Sequence, residues 1–315
     1  MRVLIAAEVE PFLRRTRVPL PADLGIELLP PSAPIPDGDF GGLLCLLTRR
    51  IGAPELDRLP SLRVVANMAV GHDNVDLAAA RARGVRVSNT PGVLTEATAE
   101  LTWTLMLAAA RRIGEGERLV RSGEWAGWAP DQLLGTGLGG RLLGLVGAGR
   151  IGREVARRAG AFGMRVAYWG RSRREDWERA VDAEWVPELE RLAERADVLS
   201  VHVASTAATR GLIDGPLLDR MKHGAILVNT ARGDIVDEAA LIDRLERGRL
   251  RAGLDVFARE PLVSDRLRQL DNVVLLPHLG SATLDTRQAM FDLALRNLLA
   301  GIRGEALITP VGGPD

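Results

Sequence analysis

The chain has 315 residues, with 41 basic and 41 acidic side chains and a formal net charge of zero at pH 7. This length leaves room for two domains, and the balanced charge provides no basic excess to attract nucleic acid or an anionic membrane surface. Apolar residues make up 46% of the sequence and charged residues 26%, which is ordinary for a globular protein and argues against a disordered or fibrous chain.

The N-terminus and the cysteine count indicate a reducing compartment. The first apolar run is too short for a signal peptide, and Glu8 interrupts it. No stretch approaches the roughly 20 apolar residues of a membrane-spanning helix. Cys45 is the only cysteine, and it lies in an apolar run, so we expect a small buried side chain. We therefore expect a cytoplasmic protein that binds neither nucleic acid nor a membrane. With one cysteine and four histidines, no metal-ligand spacing is found, and we expect no bound metal.

Short apolar runs alternate with helical patterns along the first third of the chain, which predicts an α/β fold with parallel strands. The predicted strands lie at residues 3–6, 43–47, 64–67 and 85–88. A helix is predicted at 75–83, where Gly84 ends it, and one long helix at 95–113. The proline-rich segment 30–36 is predicted to be a loop.

Residues 142–172 carry the most specific pattern, a strand, a glycine turn, a helix and a second strand. The turn has the sequence GAGRIG at 147–152, which matches G-x-G-x-x-G in the context that a dinucleotide site requires. Gly147 permits the tight turn, Gly149 lets the backbone approach a pyrophosphate, and Gly152 lets the helix pack closely on the strand. Arg150 and Ile151 begin the helix, whose free N–H groups attract the anion. We predict a bound dinucleotide here.

The residues after the second strand of this unit favour NADP(H). An NAD site usually has Asp or Glu at this point to hold the ribose 2′-hydroxyl. Here Gly170 stands in that place, and Arg171, Ser172, Arg173 and Arg174 follow it. A guanidinium and a hydroxyl can receive a 2′-phosphate, which no carboxylate would repel. The alternative is that these arginines are only a solvated helix start, in which case NAD(H) would serve.

The second half of the chain continues the alternation, and its layout predicts two domains. Strands are predicted at 198–201, 225–229, 252–255 and 273–276, and a last long helix at 285–302. Because the glycine unit begins near the middle, we expect a substrate-binding domain at 1–97 and 286–315 and a dinucleotide-binding domain at 98–285. Both domains are expected to be Rossmann-like parallel sheets, the first one flavodoxin-like, with a ligand cleft between them and the two long helices bridging them.

Three reactive side chains follow three of the predicted late strands, where ligands of an open α/β sheet bind. Arg232 can bind a carboxylate and a carbonyl, and His278 can give a proton near neutral pH. Glu260 can fix the tautomer of that imidazole and favour its charged form. Beside a nicotinamide, this set suits reduction of a 2-keto acid. Each residue also has a plain alternative, namely a surface arginine, a histidine satisfied inside the fold and a solvated carboxylate.

Several motifs in order resemble the D-isomer-specific 2-hydroxyacid dehydrogenases, from about residue 43 to about residue 298. Besides the glycine unit, these motifs are VGHDNVDLAAARARGVRVSNTPGVLTEATAELT from residue 70, NTARGDIVDEAAL from 229, GLDVFAREP from 253 and PHLGSAT from 277. The resemblance implies Arg232, Glu260 and His278 as the catalytic trio.

The resemblance also implies further contacts with the ligands. The backbone N–H groups of Val70 and Gly71 are expected to hold the substrate carboxylate, and Leu47 is expected beside the substrate. Expected cofactor contacts are Asp255, at the nicotinamide amide, and Thr95, Val203, Thr206 and Ala231, along the cofactor cleft. Asp255 could equally cap a strand end, and Thr95 could cap a helix N-terminus. His72 departs from the family's usual Tyr or Phe, and we interpret it as a packing variant.

Within the family, the segments around Leu47 and Arg171 resemble the glyoxylate/hydroxypyruvate reductase branch, which often uses NADPH. The expected activity is therefore NADPH-dependent reduction of glyoxylate or hydroxypyruvate to a D-2-hydroxy acid. Two alternatives stay open, a dehydrogenase of a larger or phosphorylated 2-hydroxy acid and a dinucleotide-sensing protein similar to the corepressors of this fold. The family forms dimers through the segment after the long helix, here marked by Trp125 and Trp128, so a homodimer is expected.

Overall fold

The structure, a computed structural model, describes residues 1–312. The chain divides into two compact units, Met1–Leu94 with Ser281–Asp315, and Thr95–Gly280. The divisions fall after residues 94 and 280, whereas the sequence placed the domain boundaries after 97 and 285. Within the described residues, no helix combines the length and the apolar character that crossing a membrane would require.

Thirteen strands and twelve α-helices are present in residues 1–312. The strands are β1 Arg2–Ala6, β2 Gly25–Leu29, β3 Gly42–Cys45, β4 Val64–Asn67, β5 Arg86–Ser88, β6 Leu142–Val146, β7 Arg165–Trp169, β8 Ala183–Trp185, β9 Val198–Val201, β10 Ile226–Asn229, β11 Arg251–Leu254, β12 Val273–Leu275 and β13 Pro310–Val311. The helices are α1 Glu10–Leu13, α2 Ala53–Asp57, α3 Leu77–Ala82, α4 Thr95–Ala110, α5 Ile113–Arg121, α6 Arg150–Ala159, α7 Glu175–Val181, α8 Leu189–Arg195, α9 Gly215–Arg220, α10 Glu238–Glu246, α11 Asp265–Arg268 and α12 Leu284–Arg303.

The first unit is built on a six-stranded sheet with the order β2-β1-β3-β4-β5-β13. Its first five strands are parallel and follow the flavodoxin-like order, and β13 pairs antiparallel with β5. Strands β3 and β4 are buried on both faces, which explains their continuous apolar sequences. Helix α12 lies directly on this sheet, because a Cβ on Gly42 would come within 2.6 Å of the Leu298 side chain.

The second unit contains a seven-stranded sheet in which every pairing is parallel, with the order β8-β7-β6-β9-β10-β11-β12. The chain runs from β6 outward to β8 and then returns to the other side of β6 as β9. The strand order therefore reverses between β6 and β9, which is where ligands of such sheets bind. The predicted fold class, two parallel-sheet α/β domains of Rossmann-like and flavodoxin-like type, is confirmed, with the antiparallel β13 as an addition.

All ten predicted strands are present, but the predicted long helix at 95–113 is wrong. Helix α4 ends at Ala110, and Arg112 takes a left-handed conformation with φ 54° before α5 begins. The end is fixed from outside the helix, because the Thr136 N–H donates to the Ala110 carbonyl at 2.7 Å. The adjacent Gly135 also lies so close that a Cβ there would come within 2.5 Å of that carbonyl oxygen. Local periodicity cannot report such a contact.

Three edge strands were not predicted. Strand β2 has five residues but alternates between exposed and partly buried positions, β8 has three residues, and β13 has two. Edge strands that are this exposed or this short carry little apolar pattern. The last long helix, predicted at 285–302, spans Leu284–Arg303.

Candidate active site

The glycine turn lies at the carboxyl end of β6, at the point where the strand order reverses. Gly147 has φ +103°, and a Cβ there would lie 2.8 Å from the carbonyl oxygen of His202. A Cβ on Gly152 would collide with the carbonyl oxygen of Gly147, so the helix start packs on the turn. At Gly149, by contrast, an added Cβ would meet no atom within 4 Å. The turn is thus closed on two sides and open at its middle glycine.

Helix α6 begins at this open point without a capping side chain. Its N-cap is Gly149, in extended conformation, and no side chain accepts a hydrogen bond from the first turn. Arg150 is exposed, whereas Ile151 packs against the apolar core beneath the sheet. Uncapped N–H groups at a helix N-terminus attract an anion, so the residues present fit the pyrophosphate of a dinucleotide.

The arginines of the loop after β7 differ in whether their side chains have a partner. Arg171 and Ser172 are exposed, and within residues 1–312 the Arg171 side chain has no hydrogen-bond or ion-pair partner. Arg173 instead donates from Nε to Glu178 Oε2 at 3.0 Å. The sequence could not distinguish the members of this cluster. Within residues 1–312, Arg173 is paired with a carboxylate, whereas the side chains of Arg171 and Arg174 are not.

The loop after β10 holds Arg232 through the buried Asn229. The Asn229 side chain donates to the carbonyl of Arg232 at 2.8 Å and accepts from the N–H of Ala231 at 3.0 Å. Arg232 Nη1 donates to the Ala231 carbonyl at 2.8 Å, and its backbone is extended. The next residue, Gly233, lies directly on the backbone of the loop after β11. A Cβ there would come within 2.5 Å of the Ala258 nitrogen.

His278, in the loop after β12, and Glu260, in the loop after β11, form a hydrogen-bonded pair. The distance from His278 Nδ1 to Glu260 Oε2 is 2.8 Å, and Glu260 Oε1 accepts from the Phe257 N–H at 3.0 Å. Burial raises the pKa of Glu260. The hydrogen bond and charge of His278, with smaller contributions from Phe257 and Arg232, together lower it by more than burial raises it, so the net pKa lies below its ordinary value. Glu260 is therefore ionised at neutral pH and holds Nδ1 of the imidazole, which leaves Nε2 for another partner.

Asp255, at the end of β11, fixes the backbone that carries His278. Its two carboxylate oxygens accept from the N–H groups of Leu279 at 2.6 Å and Gly280 at 2.8 Å, and its carbonyl accepts from the His278 N–H at 2.9 Å. His278 has φ 56°, an unfavourable conformation for a residue with a Cβ. Three hydrogen bonds to one residue hold that conformation in place. Burial raises the pKa of Asp255, and the two N–H donors and the charge of His278 oppose that rise.

The remaining cofactor residues predicted in the second unit lie at the start of α4 and in the loops after β9 and β10. Thr95 is the first residue of α4, and Ala231 lies between Asn229 and Arg232. Val203 contacts the glycine turn, since its side chain would meet a Cβ on Gly147 at 2.8 Å. The Thr206 hydroxyl is exposed and lies 3.1 Å from that of Thr209. Within residues 1–312, no cluster of three or more His, Cys, Asp or Glu side chains has a metal-binding arrangement.

The predicted substrate residues of the first unit follow β3 and β4. Two asparagines hold the loop after β4, with Asn89 donating to the Val70 carbonyl at 2.8 Å and Asn67 to the Gly71 carbonyl at 2.9 Å. The N–H groups of Val70 and Gly71 have no hydrogen-bond partner within residues 1–312. The loop is therefore pinned by its carbonyls, and its donors remain available for an anion.

A second asparagine link connects this loop to the one after β3, where Leu47 is half-buried. Asn74 donates to Asn67 at 3.3 Å and to the carbonyls of Leu46 and Arg49 at 3.2 and 3.0 Å. The Nδ1 atom of His72 is buried without a hydrogen-bond partner among the described residues.

Sequence reasoning missed the supporting residues. Asn67, Asn229 and Gly233 were not singled out, although asparagine at the end of a buried strand is a usable signal because its amide must find partners there. The contact of Gly233 with a distant loop had no local signal.

A parallel sheet with an open glycine turn at its reversal point and an ionised carboxylate–histidine pair beside an arginine defines a dinucleotide-dependent oxidoreductase. The sequence profile of the D-isomer specific 2-hydroxyacid dehydrogenase NAD binding domain matches residues 103–280. The chain belongs to the family of D-isomer-specific 2-hydroxyacid dehydrogenases, which use a nicotinamide dinucleotide.

Relatives and solved structures agree with this assignment. A glyoxylate reductase from Korarchaeum cryptofilum is 46% identical over 311 residues, which cover 96% of this chain and 93% of that one. A glyoxylate reductase from Aeropyrum pernix is 49% identical over 269 residues, covering 84% and 80%. The crystal structure of an NADPH-dependent glyoxylate/hydroxypyruvate reductase from Sinorhizobium meliloti, in complex with NADP and malonate, has a TM-score of 0.87 at 37% identity, covering 99% and 96%.

Proposed function

We propose that this protein reduces glyoxylate and hydroxypyruvate to the corresponding D-2-hydroxy acids, with NADPH as the preferred cofactor. The observation that carries the proposal is the 2.8 Å pair between His278 Nδ1 and the ionised Glu260, on the strand ends next to Arg232. This set of groups is what reduction of a 2-keto acid needs. The names of the similar glyoxylate reductases support the choice of substrate.

In the proposed reaction each side chain has one task. When bound, the nicotinamide supplies the hydride that reduces the carbonyl carbon. Arg232 binds the substrate carboxylate and polarises the carbonyl. His278, protonated and held through Nδ1 by Glu260, gives a proton from Nε2 to the carbonyl oxygen. Val70 and Gly71 keep their predicted role as N–H donors to the substrate carboxylate.

The first experiment compares keto-acid reduction by the wild type and by His278→Ala, with the oxidation of the reduced nicotinamide followed by absorbance. Loss of the proton donor is expected to lower kcat by roughly two to four decades. His223→Ala is the matched control, because His223 is an exposed histidine of the same unit that follows α9. A His278→Ala protein with wild-type turnover, or a wild type inactive on both keto acids, overturns the proposal.

The preference for NADPH rests on the loop after β7, where Arg171 and Ser172 would hold the 2′-phosphate of the adenosine ribose. Arg171→Ala is expected to weaken NADPH binding about tenfold, by the usual worth of a charge-assisted hydrogen bond, and to leave NADH binding nearly unchanged. Arg165→Ala is the control, since Arg165 is an exposed arginine at the opposite end of β7. Equal affinity of the wild type for NADH and NADPH contradicts the preference.

We also propose that the protein forms a homodimer through the segment after α5. Trp125 and Trp128 are 52% and 82% exposed there, and Leu134 is 63% exposed. Exposed tryptophans are enriched in protein interfaces. Light scattering on a sizing column is expected to give about twice the mass of one chain, and Trp128→Ser is expected to shift the protein toward the monomer. A wild type that runs as a monomer at micromolar concentration contradicts this proposal.

A further inference from the structure

A buried carboxylate lies under the loop that follows β7. Glu178, on α7, is only 8% exposed, and it accepts a hydrogen bond from the hydroxyl of Tyr168 at 2.7 Å. Tyr168 is fully buried at the carboxyl end of β7, and its hydroxyl accepts from the N–H of Arg174 at 2.7 Å. Arg173 donates to the other oxygen of Glu178 at 3.0 Å. One strand residue and one helix residue therefore hold two consecutive positions of the loop.

The protonation states of the network follow from its surroundings. The hydrogen bond from Arg173 lowers the pKa of Glu178, burial opposes this, and the net pKa lies below its ordinary value. Burial, followed by the hydrogen bond to Glu178, raises the pKa of Tyr168 to about 12. At neutral pH Tyr168 is thus a phenol that donates, and Glu178 is a carboxylate that accepts. A buried carboxylate is costly unless it is fully paired, and this one is paired by the residues of the loop.

The network continues to the glycine turn. The Trp177 ring meets the Tyr168 ring edge-on, with centroids 4.9 Å apart. The guanidinium carbon of Arg153 lies 5.7 Å from the Trp177 ring centroid, and its Nε donates to the Ala148 carbonyl inside the glycine turn at 2.9 Å. A continuous chain of contacts therefore joins the turn that suits a pyrophosphate to the loop that carries Arg171.

The network also assigns different tasks to the arginines of the loop. Because Glu178 engages Arg173, that guanidinium is neutralised by a carboxylate. The side chains of Arg171 and Arg174 have no protein partner in the described chain. Of these two, Arg171 lies next to Ser172, and Arg174 is held through its backbone N–H by Tyr168. A fixed backbone at positions 173 and 174 limits the positions that Arg171 and Ser172 can reach. Preorganised donors bind a phosphate better than mobile ones, since less conformational entropy is lost on binding.

We propose that Tyr168 and Glu178 are positioning residues that set the preference for NADPH over NADH by holding the loop 170–174 in the conformation that receives a 2′-phosphate. This proposal rests on the NADPH preference proposed above and extends it to two buried residues that do not touch the phosphate. It predicts that the network affects the phosphorylated cofactor selectively.

The test is titration of the purified protein with NADPH and with NADH, followed by the quenching of tryptophan fluorescence, for Tyr168→Phe and Glu178→Gln. Loss of one buried hydrogen bond is expected to weaken NADPH binding about threefold to tenfold, while NADH binding stays within about twofold. Arg153→Gln is expected to weaken both cofactors alike, because the glycine turn serves both. Asp176→Asn is the matched control, since Asp176 lies on the same helix with a fully exposed side chain.

Each outcome decides one question. If the wild type prefers NADPH and both variants keep the wild-type ratio of the two affinities, the positioning role is overturned and the cofactor preference stands. If the wild type binds NADH at least as tightly, the preference itself is overturned, and the positioning role with it. Should Glu178→Gln fail to fold, Tyr168→Phe, which keeps the ring and its packing, decides the question alone, with its thermal midpoint measured beside the wild type.

Discussion

At the scale of single residues, Glu260 holds the imidazole of His278 through Nδ1, and Glu260→Gln isolates that role. The amide keeps the size of the side chain but removes the charge that strengthens this hydrogen bond. We expect kcat/KM for keto-acid reduction to fall, because the imidazole that gives the proton is held less firmly in its orientation. A pH series of kcat/KM measures this, with Glu190→Gln on the exposed face of α8 as the control. An unchanged kcat/KM at every pH contradicts the pairing.

The acid side of the same profile follows from the sign of the Glu260 shift. The net pKa of Glu260 is lowered in the folded protein, although burial alone raises it. Its contribution to stability is therefore complete above the unfolded value of about 4.3 and is lost as pH falls through the lower folded value. Between pH 5 and 8 the carboxylate stays ionised, so a change of rate in that range does not come from Glu260.

Asn89 gives a second prediction at the residue scale. Its side chain holds the Val70 carbonyl, and the N–H groups beside that carbonyl are the proposed donors to the substrate carboxylate. Asn89→Ala is expected to raise KM for glyoxylate several-fold, because the loop loses a partly buried hydrogen bond, and to leave KM for NADPH unchanged. Steady-state kinetics with each substrate varied in turn separate the two constants. An equal rise in both indicates general damage and contradicts the role.

The proposed catalytic residues could be located from the sequence more readily than the residues that hold them. Arg232, Glu260 and His278 follow apolar strands, and parallel strands bring their carboxyl ends to one edge of a sheet. Asn229 and Asp255 contribute through side-chain contacts to backbone atoms, and Asp255 contacts a loop 24 residues away. The partner of Arg173, the buried Glu178, has a charged side chain in a sequence that otherwise suggests a solvated helix, so its burial had no sequence signal.

At the scale of elements, the loops after β10 and β11 can pack closely only because Gly233 has no side chain. Gly233→Ala would drive a Cβ into the backbone of Phe257 and Ala258. We expect a loss of about 3 kcal/mol in stability or displacement of Arg232, with activity lost well below the melting temperature. Gly160→Ala is the matched control, because a Cβ at Gly160 would meet no atom within 4 Å and its φ is −58°. A Gly233→Ala protein with wild-type activity and thermal midpoint contradicts the close contact.

Element boundaries show where the sequence pattern fails. Nine of the ten predicted strands lie in the interiors of the two sheets, where burial favours a continuous apolar run, and the tenth, β12, lies at a sheet edge. The unpredicted strands β2, β8 and β13 also lie at sheet edges, and the division between α4 and α5 depends on Thr136 and Gly135 from a later loop. Central elements are encoded locally, whereas most edges and this helix break depend on tertiary contacts.

At the scale of the whole molecule, the charge balance of 41 acidic and 41 basic side chains is organised mainly as pairs of carboxylates with arginines. Within residues 1–312, nine carboxylates have a lowered pKa, which are Glu154, Glu178, Glu184, Glu194, Asp197, Asp219, Asp243, Glu246 and Glu260. Apart from Asp197 and Glu260, the hydrogen bond from an arginine is the largest cause in each case. Most of these pairs are exposed, so each contributes little alone, but they all respond to pH in the same direction.

This arrangement predicts the pH range in which the fold loses stability. For each group with a lowered folded pKa, the stabilisation is complete above the unfolded value of about 4 and is lost as pH falls through the folded value. The thermal midpoint is therefore expected to be flat from about pH 5 to 8 and to fall steeply below pH 4. Calorimetry across this range measures it, and a midpoint that falls first on the alkaline side contradicts the prediction.

Asp197 is the carboxylate at which this dependence is best tested, because its side chain is only 16% exposed. Burial raises the pKa of Asp197. The N–H of Leu142 at 2.8 Å, Lys222 at 2.9 Å and Arg141 together lower it by more than burial raises it, so the net pKa lies below its ordinary value. Asp197→Asn removes the ionised form and is expected to lower the thermal midpoint at pH 7 while making the fall below pH 4 shallower. Asp265→Asn, at an exposed carboxylate on α11, is expected to change neither. If Asp197→Asn melts in parallel with the wild type at every pH, surface pairs other than this one determine the acid stability.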